Sequence, residues 1–112
     1  MTAYNVQWDN VPIIITKGDS IDLIFSVELN SVAYDMTGMQ LDIKVIRPNN
    51  AVFRTWTSAA GSPEITISTS TYRIEDSPIT EEGRFRYDVQ LTNGTNIKTI
   101  QKGVIKVTEE IT

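Results

Sequence analysis

The sequence predicts an all-β fold, an Ig-like antiparallel β-sandwich of about seven strands. Three observations carry that prediction. Apolar and polar residues alternate along several short stretches, the period-two pattern of a half-buried strand. Clusters of Gly, Pro and Asn separate those stretches about every 8–12 residues, as in sandwiches and barrels. No pattern of helical period runs far enough to matter, and "SPITEEG" holds at most one turn.

The elements follow in order. Residues 1–10, "MTAYNVQWDN", alternate Tyr4, Val6 and Trp8 against Asn5, Gln7 and Asp9, which reads as an N-terminal extended arm or edge strand. Residues 11–112 form a single sandwich domain. "SIDLIFSVEL" sets Ile21, Leu23, Phe25, Val27 and Leu29 on one face and Asp22, Ser26 and Glu28 on the other, with Ile24 as an apolar outward residue. "MQLDIKVI" repeats the scheme, with Met39, Leu41, Ile43 and Val45 inward. "AVFRTWT" and "EITIS" are shorter strands with β-branched and aromatic bias. Turns are expected at Gly18, at Gly38 and at "RPNN". In "GRFRYDVQLTNGTNIKTIQKG", Phe85, Tyr87, Val89 and Leu91 oppose Arg84, Arg86, Asp88 and Gln90, and Asn93-Gly94 favours a type I′ hairpin. The last strand changes phase between Ile100 and Ile105, so a β-bulge is expected near Gly103. Gly83, Phe85 and Tyr87 match the spacing at the start of an Ig strand F, with Tyr87 where the core cysteine would stand.

Composition narrows the function. The chain has 112 residues, 40% of them hydrophobic, and a net charge of −4. It has no cysteine and no histidine. No disulfide or thiolate metal site is available, and the usual general base and every Ser-His or Cys-His nucleophile pairing are absent. A mildly acidic chain with scattered Lys and Arg is a poor binder of nucleic acid, since affinity there comes from neutralising phosphates. The longest apolar run, "VPIIIT", is far too short for a membrane span, and no signal peptide is visible. No nucleic acid, no membrane, no cofactor, no metal and no catalytic residue is expected.

The carboxylate pairs, Glu81-Glu82, Glu109-Glu110, Glu75-Asp76 and Asp19 with Asp22, read as solvated turn and end residues. Neighbours on a strand point to opposite faces and cannot converge as an acid/base pair. "NGT" at 93–95 fits the glycosylation acceptor pattern but reads as the hairpin turn. Tyr4, Trp8, Tyr34, Trp56 and Tyr72 lie outside the core patterns. Trp56 points outward if its strand is regular and inward if the strand is bulged. The residues expected at a protein interface are Tyr4, Val6, Trp8 and Trp56.

Four motifs, "ITKGDSIDLIFSV", "YDMTGMQLDIKVIRP", "GRFRYDVQLTNG" and "IKTIQKGVIKVTEEIT", taken in order and spacing, resemble a family of small virion proteins of tailed bacteriophages and prophages. The likeness covers Ile13 to Thr112 and is similar to the N-terminal β-sandwich domain of phage upper baseplate proteins. That domain docks receptor-binding machinery onto the particle. The sequence ends at Thr112 without a long helix or a receptor-binding domain, so the resemblance implies a stand-alone virion module. The expectation is a non-enzymatic structural protein, made in the bacterial host cytoplasm and located in the virion. It would bind other phage virion proteins as a capsid decoration, neck or tail/baseplate accessory subunit, as a homo-oligomer or symmetric array. The alternative is a carbohydrate-binding module for host surface glycans, which needs exposed aromatics in one groove.

Overall fold

The computed structural model describes residues 12–109 apart from 30, 60 and 62. Among these are ten strands: β1 (Ile13–Thr16), β2 (Ile21–Ser26), β3 (Glu28–Leu29), β4 (Val32–Ala33), β5 (Gln40–Ile46), β6 (Val52–Thr57), β7 (Ile65–Ser68), β8 (Thr71–Asp76), β9 (Gly83–Asn93) and β10 (Asn96–Thr108). A five-stranded sheet runs β1-β10-β9-β5-β6 and a three-stranded sheet runs β2-β8-β7, while β3 and β4 pair only with each other. The two larger sheets enclose one core between them, so the chain is a β-sandwich. The division of strands is that of an Ig-type sandwich, with β1 and β6 added as edges of the larger sheet.

Three features refine the expected sandwich. The fold is not antiparallel throughout, because β1 runs parallel to β10 with Ile13 opposite Ile105 and Ile15 opposite Val107. That register puts four buried aliphatic side chains on the core face at the sheet's edge. The "STYRIED" stretch is a full strand, β8, and Tyr72 on it is buried rather than peripheral. The short β3–β4 pair adds strands beyond the expected seven.

Alternation explains the core. On β5, Leu41, Ile43 and Val45 are buried while Lys44 between them is exposed. On β9, Phe85, Tyr87, Val89 and Leu91 turn inward as the sequence predicts. β2 follows the same parity, with Ile21 buried and Ile24 left 65% exposed. Turns reinforce the register. Gly38, at φ 82°, sits third in a turn closed by the Met39 amide donating to the Met36 carbonyl, a type II position that suits glycine. Pro48 and Asn49 occupy the middle of a turn closed by the Asn50 amide donating to the Arg47 carbonyl at 2.9 Å.

The β9–β10 hairpin is present, but its loop is Gly94-Thr95, since Asn93 pairs with Asn96. Gly94 takes φ 62° and Thr95 does not enter the positive region, so the turn has type II′ character rather than I′. Side-chain period fixes this choice: a shift of one residue would turn the inward set of the whole strand outward. The expected bulge also exists, displaced to Ile100. Thr99 pairs with Gln90 and Gln101 with Val89, which leaves Ile100 as the extra residue, while Gly103 sits in regular register opposite Tyr87. The bulge turns both Ile100 and Gln101 into the core.

Gln101 is 1% exposed and has two partners there. The Tyr72 hydroxyl, from the three-stranded sheet, donates to its Oε1 at 2.7 Å, and its Nε2 donates to the Tyr87 hydroxyl at 3.0 Å. One amide on β10 thus bridges the two sheets. Burial pushes the Tyr72 hydroxyl far above its ordinary pKa, and burial likewise raises Tyr87, so both stay neutral. Gln101→Leu keeps the volume, takes the acceptor from the buried Tyr72 hydroxyl and removes one donor to Tyr87. The expected loss is about 2–4 kcal/mol, read as a lower denaturant midpoint with an unchanged slope. An unchanged midpoint would mean the bridge contributes nothing.

Candidate protein-interaction face

Opposed residues in a ladder share a face, so the strand register lays out the outer surface of the five-stranded sheet row by row. One row reads Val104–Arg86–Ile46–Val52 across β10, β9, β5 and β6. The next reads Lys102–Asp88–Lys44–Thr55, and the one beyond it Thr99–Gln90–Asp42–Thr57. At the other end, Ile14, Lys106 and Arg84 lie abreast. Ile14 is 71% exposed, Val52 56% and Val104 38%. Lys44, Arg84, Arg86, Lys102 and Lys106 are all exposed, whereas Asp42 and Asp88 are half-buried.

This surface has an ordered polar frame. Asp42 accepts from the Thr57 hydroxyl at 2.7 Å and from Gln40 Nε2 at 2.8 Å. Beside it lies a shallow depression of about 80 Å³ lined by Asp42, Lys44, Thr55, Asp88 and Gln90. Arg86 donates to Asn50 Oδ1, which holds its guanidinium toward the β5–β6 turn. Aliphatic side chains set among fixed charges suit contact with another protein surface, where burial drives binding and the charges set orientation.

The residues expected at an interface fare differently. Tyr4, Val6 and Trp8 lie outside the described residues. Trp56 is in the core at 1% exposure. The cause is a second bulge: Val45 pairs with Arg54 and Ile46 with Val52, so Phe53 is the extra residue on β6. It lets Phe53 and Trp56 share the inner side, with Phe53 stacked on Phe85 at 4.6 Å between ring centroids. The guanidinium of Arg47 lies 4.5 Å from the Phe53 ring centroid. A buried Trp56 offers no platform for a sugar or a partner.

Trp56 instead belongs to a second inter-sheet tie. Its Nε1 donates to Asp76 Oδ2 at 2.7 Å, and Arg54 Nη1 donates to the same oxygen at 3.0 Å. Arg54 also donates to the carbonyls of Ser77 and Pro78, so an arginine on β6 anchors the end of β8. Several of the other carboxylates singled out in the sequence are in ion pairs as well. Glu81 pairs with Arg47, Glu82 with Lys17 at 3.8 Å, and Asp22 with Arg73 at 2.7 Å. Among the described residues no three carboxylates converge on one point.

The basic residues of the outer face were hidden in the linear sequence. Arg84 and Arg86 precede the hairpin, Lys102 and Lys106 follow it, and only the cross-strand register brings them together. The available signal was parity: within the alternating hairpin, both pairs fall opposite the inward set.

Asp76 gives a pH test. Partial burial works against its ionisation, but the hydrogen bonds from Trp56 and the Ser77 amide and the charge of Arg54 outweigh it, leaving its pKa below the ordinary 3.8. A carboxyl whose pKa is lower folded than unfolded adds stability above the unfolded value, and that stability is lost as pH falls through the folded one. Asp76→Asn keeps an acceptor for Trp56 but cannot titrate. Between about pH 6 and about pH 2 the variant is expected to lose less melting temperature than the parent. Parallel melting curves would show that Asp76 carries no acid-labile stability. No protein-family model matches this chain, and no curated protein matches its sequence.

Proposed function

We propose that this chain is a non-enzymatic structural protein of a bacteriophage virion that binds other virion proteins, as a capsid decoration, neck or tail/baseplate accessory subunit. The observation that carries the reading is the outer face of the five-stranded sheet. Ile14, Val52 and Val104 stand exposed there among five basic side chains, on a sheet tied to its partner layer by buried hydrogen bonds. A rigid face loses little conformational entropy on docking, so its contacts count more fully toward affinity. The virion setting is supported by the order and spacing of the four sequence motifs. In a symmetric particle, modest contacts repeated many times hold through avidity.

The test is particle content. Particles induced from the strain encoding this chain and purified by density gradient are expected to carry it at a fixed copy number by quantitative mass spectrometry. Arg86→Glu combined with Lys102→Glu, both exposed positions, is expected to cut that number about tenfold, equivalent to ~1.4 kcal/mol of binding, without loss of folding. Particles that lack the unmodified chain overturn the proposal.

A further inference from the structure

Charge is segregated on this molecule. The outer face of the five-stranded sheet carries five basic residues, Lys44, Arg84, Arg86, Lys102 and Lys106, against Asp42 and Asp88, a formal +3. The other described residues include five basic and ten acidic ones, which sum to −5. A face of +3 beside −5 on the other described residues finds its complement on any second copy of the same chain. Pairing two such faces with each other would set like charges together. The contact this charge pattern selects is therefore head-to-tail.

The opposite side of the sandwich supplies a matching surface. On the outer face of the three-stranded sheet, Asp22 and Glu75 flank Arg73. Arg73 makes a two-pronged pair with Asp22, Nε to Oδ1 and Nη2 to Oδ2, both at 2.7 Å, and lies 3.7 Å from Glu75. One cation shared by two carboxylates leaves that face negative. Ile24, 65% exposed, stands opposite Arg73 at its centre, an apolar counterpart for Val104 and Ile14.

We propose that the five-stranded face of one copy docks on the three-stranded face of a second copy. The proposal rests on reading the chain as an assembling subunit and names its partner. A head-to-tail contact uses two different patches, so every bound copy still offers one free patch of each kind at the ends of the assembly. Growth continues into a ring or an array rather than stopping at a dimer.

Light-scattering mass of the full chain tests this. At low ionic strength the mass is expected to climb past a dimer with concentration, and to fall back toward monomer at about 1 M salt, where the screening length is ~3 Å. Two variants divide the contact: Arg86→Glu/Lys102→Glu disables the basic face, and Asp22→Lys/Glu75→Lys the acidic one. Each alone is expected to be monomeric, since its two faces then carry the same sign, yet an equal mixture assembles, since each supplies the patch the other lacks. Ile24→Arg serves as a second acidic-face variant that leaves the ion pairs intact, should the double variant fold poorly. A parent chain that stays monomeric at every concentration overturns the proposal, as does a mixture that stays monomeric. A dimer unaffected by the acidic-face variants overturns it too. So does a monomer whose basic face binds duplex DNA or a different acidic protein. In each of these cases particle content still decides the virion role separately.

Discussion

One amide holds the two layers together. Without cysteine the sandwich has no covalent clamp between its sheets, and apolar packing alone is weakly directional. Gln101 supplies the direction, accepting from Tyr72 on one sheet and donating to Tyr87 on the other. Such a side chain is tolerated in a core only when its hydrogen bonds are made, and among the described residues no buried side-chain polar atom is left without a partner. The arrangement depends on the bulge at Ile100, which sets the phase of every later residue of β10 and brings Gln101 inward beside Ile100. Register, burial and the inter-sheet bridge are thus one constraint.

The second bulge works in the same way at the other side of the large sheet. Phe53 is displaced on β6, Trp56 swings inward, and its indole finds Asp76 on the opposing layer. Each tie pairs an inward polar group with a partner on the other sheet, and each lies where a strand departs from strict alternation. Departures of this kind cost ladder hydrogen bonds, and here they coincide with the positions that fix the layers against each other. The outer surface of the five-stranded sheet is left free of that duty. Its exposed aliphatics and cations are not spent on the core, which is why they stand available for contact with another molecule.

Regular strands were legible because alternation is a direct image of burial on one face. β5 and β9 follow the sequence almost residue for residue. What escaped was set by contacts between strands far apart in sequence. The bulge belongs at Ile100 rather than Gly103 because Gln101 must meet Tyr72, a partner 29 residues away. Trp56 turned inward through an extra residue that β6 shows only against β5. The pairing of β1 with β10 joins the two ends of the domain in parallel, which no local pattern encodes. The basic face was legible only as parity within single strands, since its charges are brought together from strands on either side of a hairpin.

The most direct measurement is a double-mutant cycle in denaturant unfolding, comparing Tyr72→Phe, Gln101→Leu and the two together. If Gln101 bridges the sheets through Tyr72, the double variant is more stable than the sum of the single losses implies, by about 1–3 kcal/mol, because removing both partners leaves fewer buried groups unsatisfied. Losses that add to within about 0.5 kcal/mol would contradict the account, since they would mean that the two side chains do not act on each other across the core.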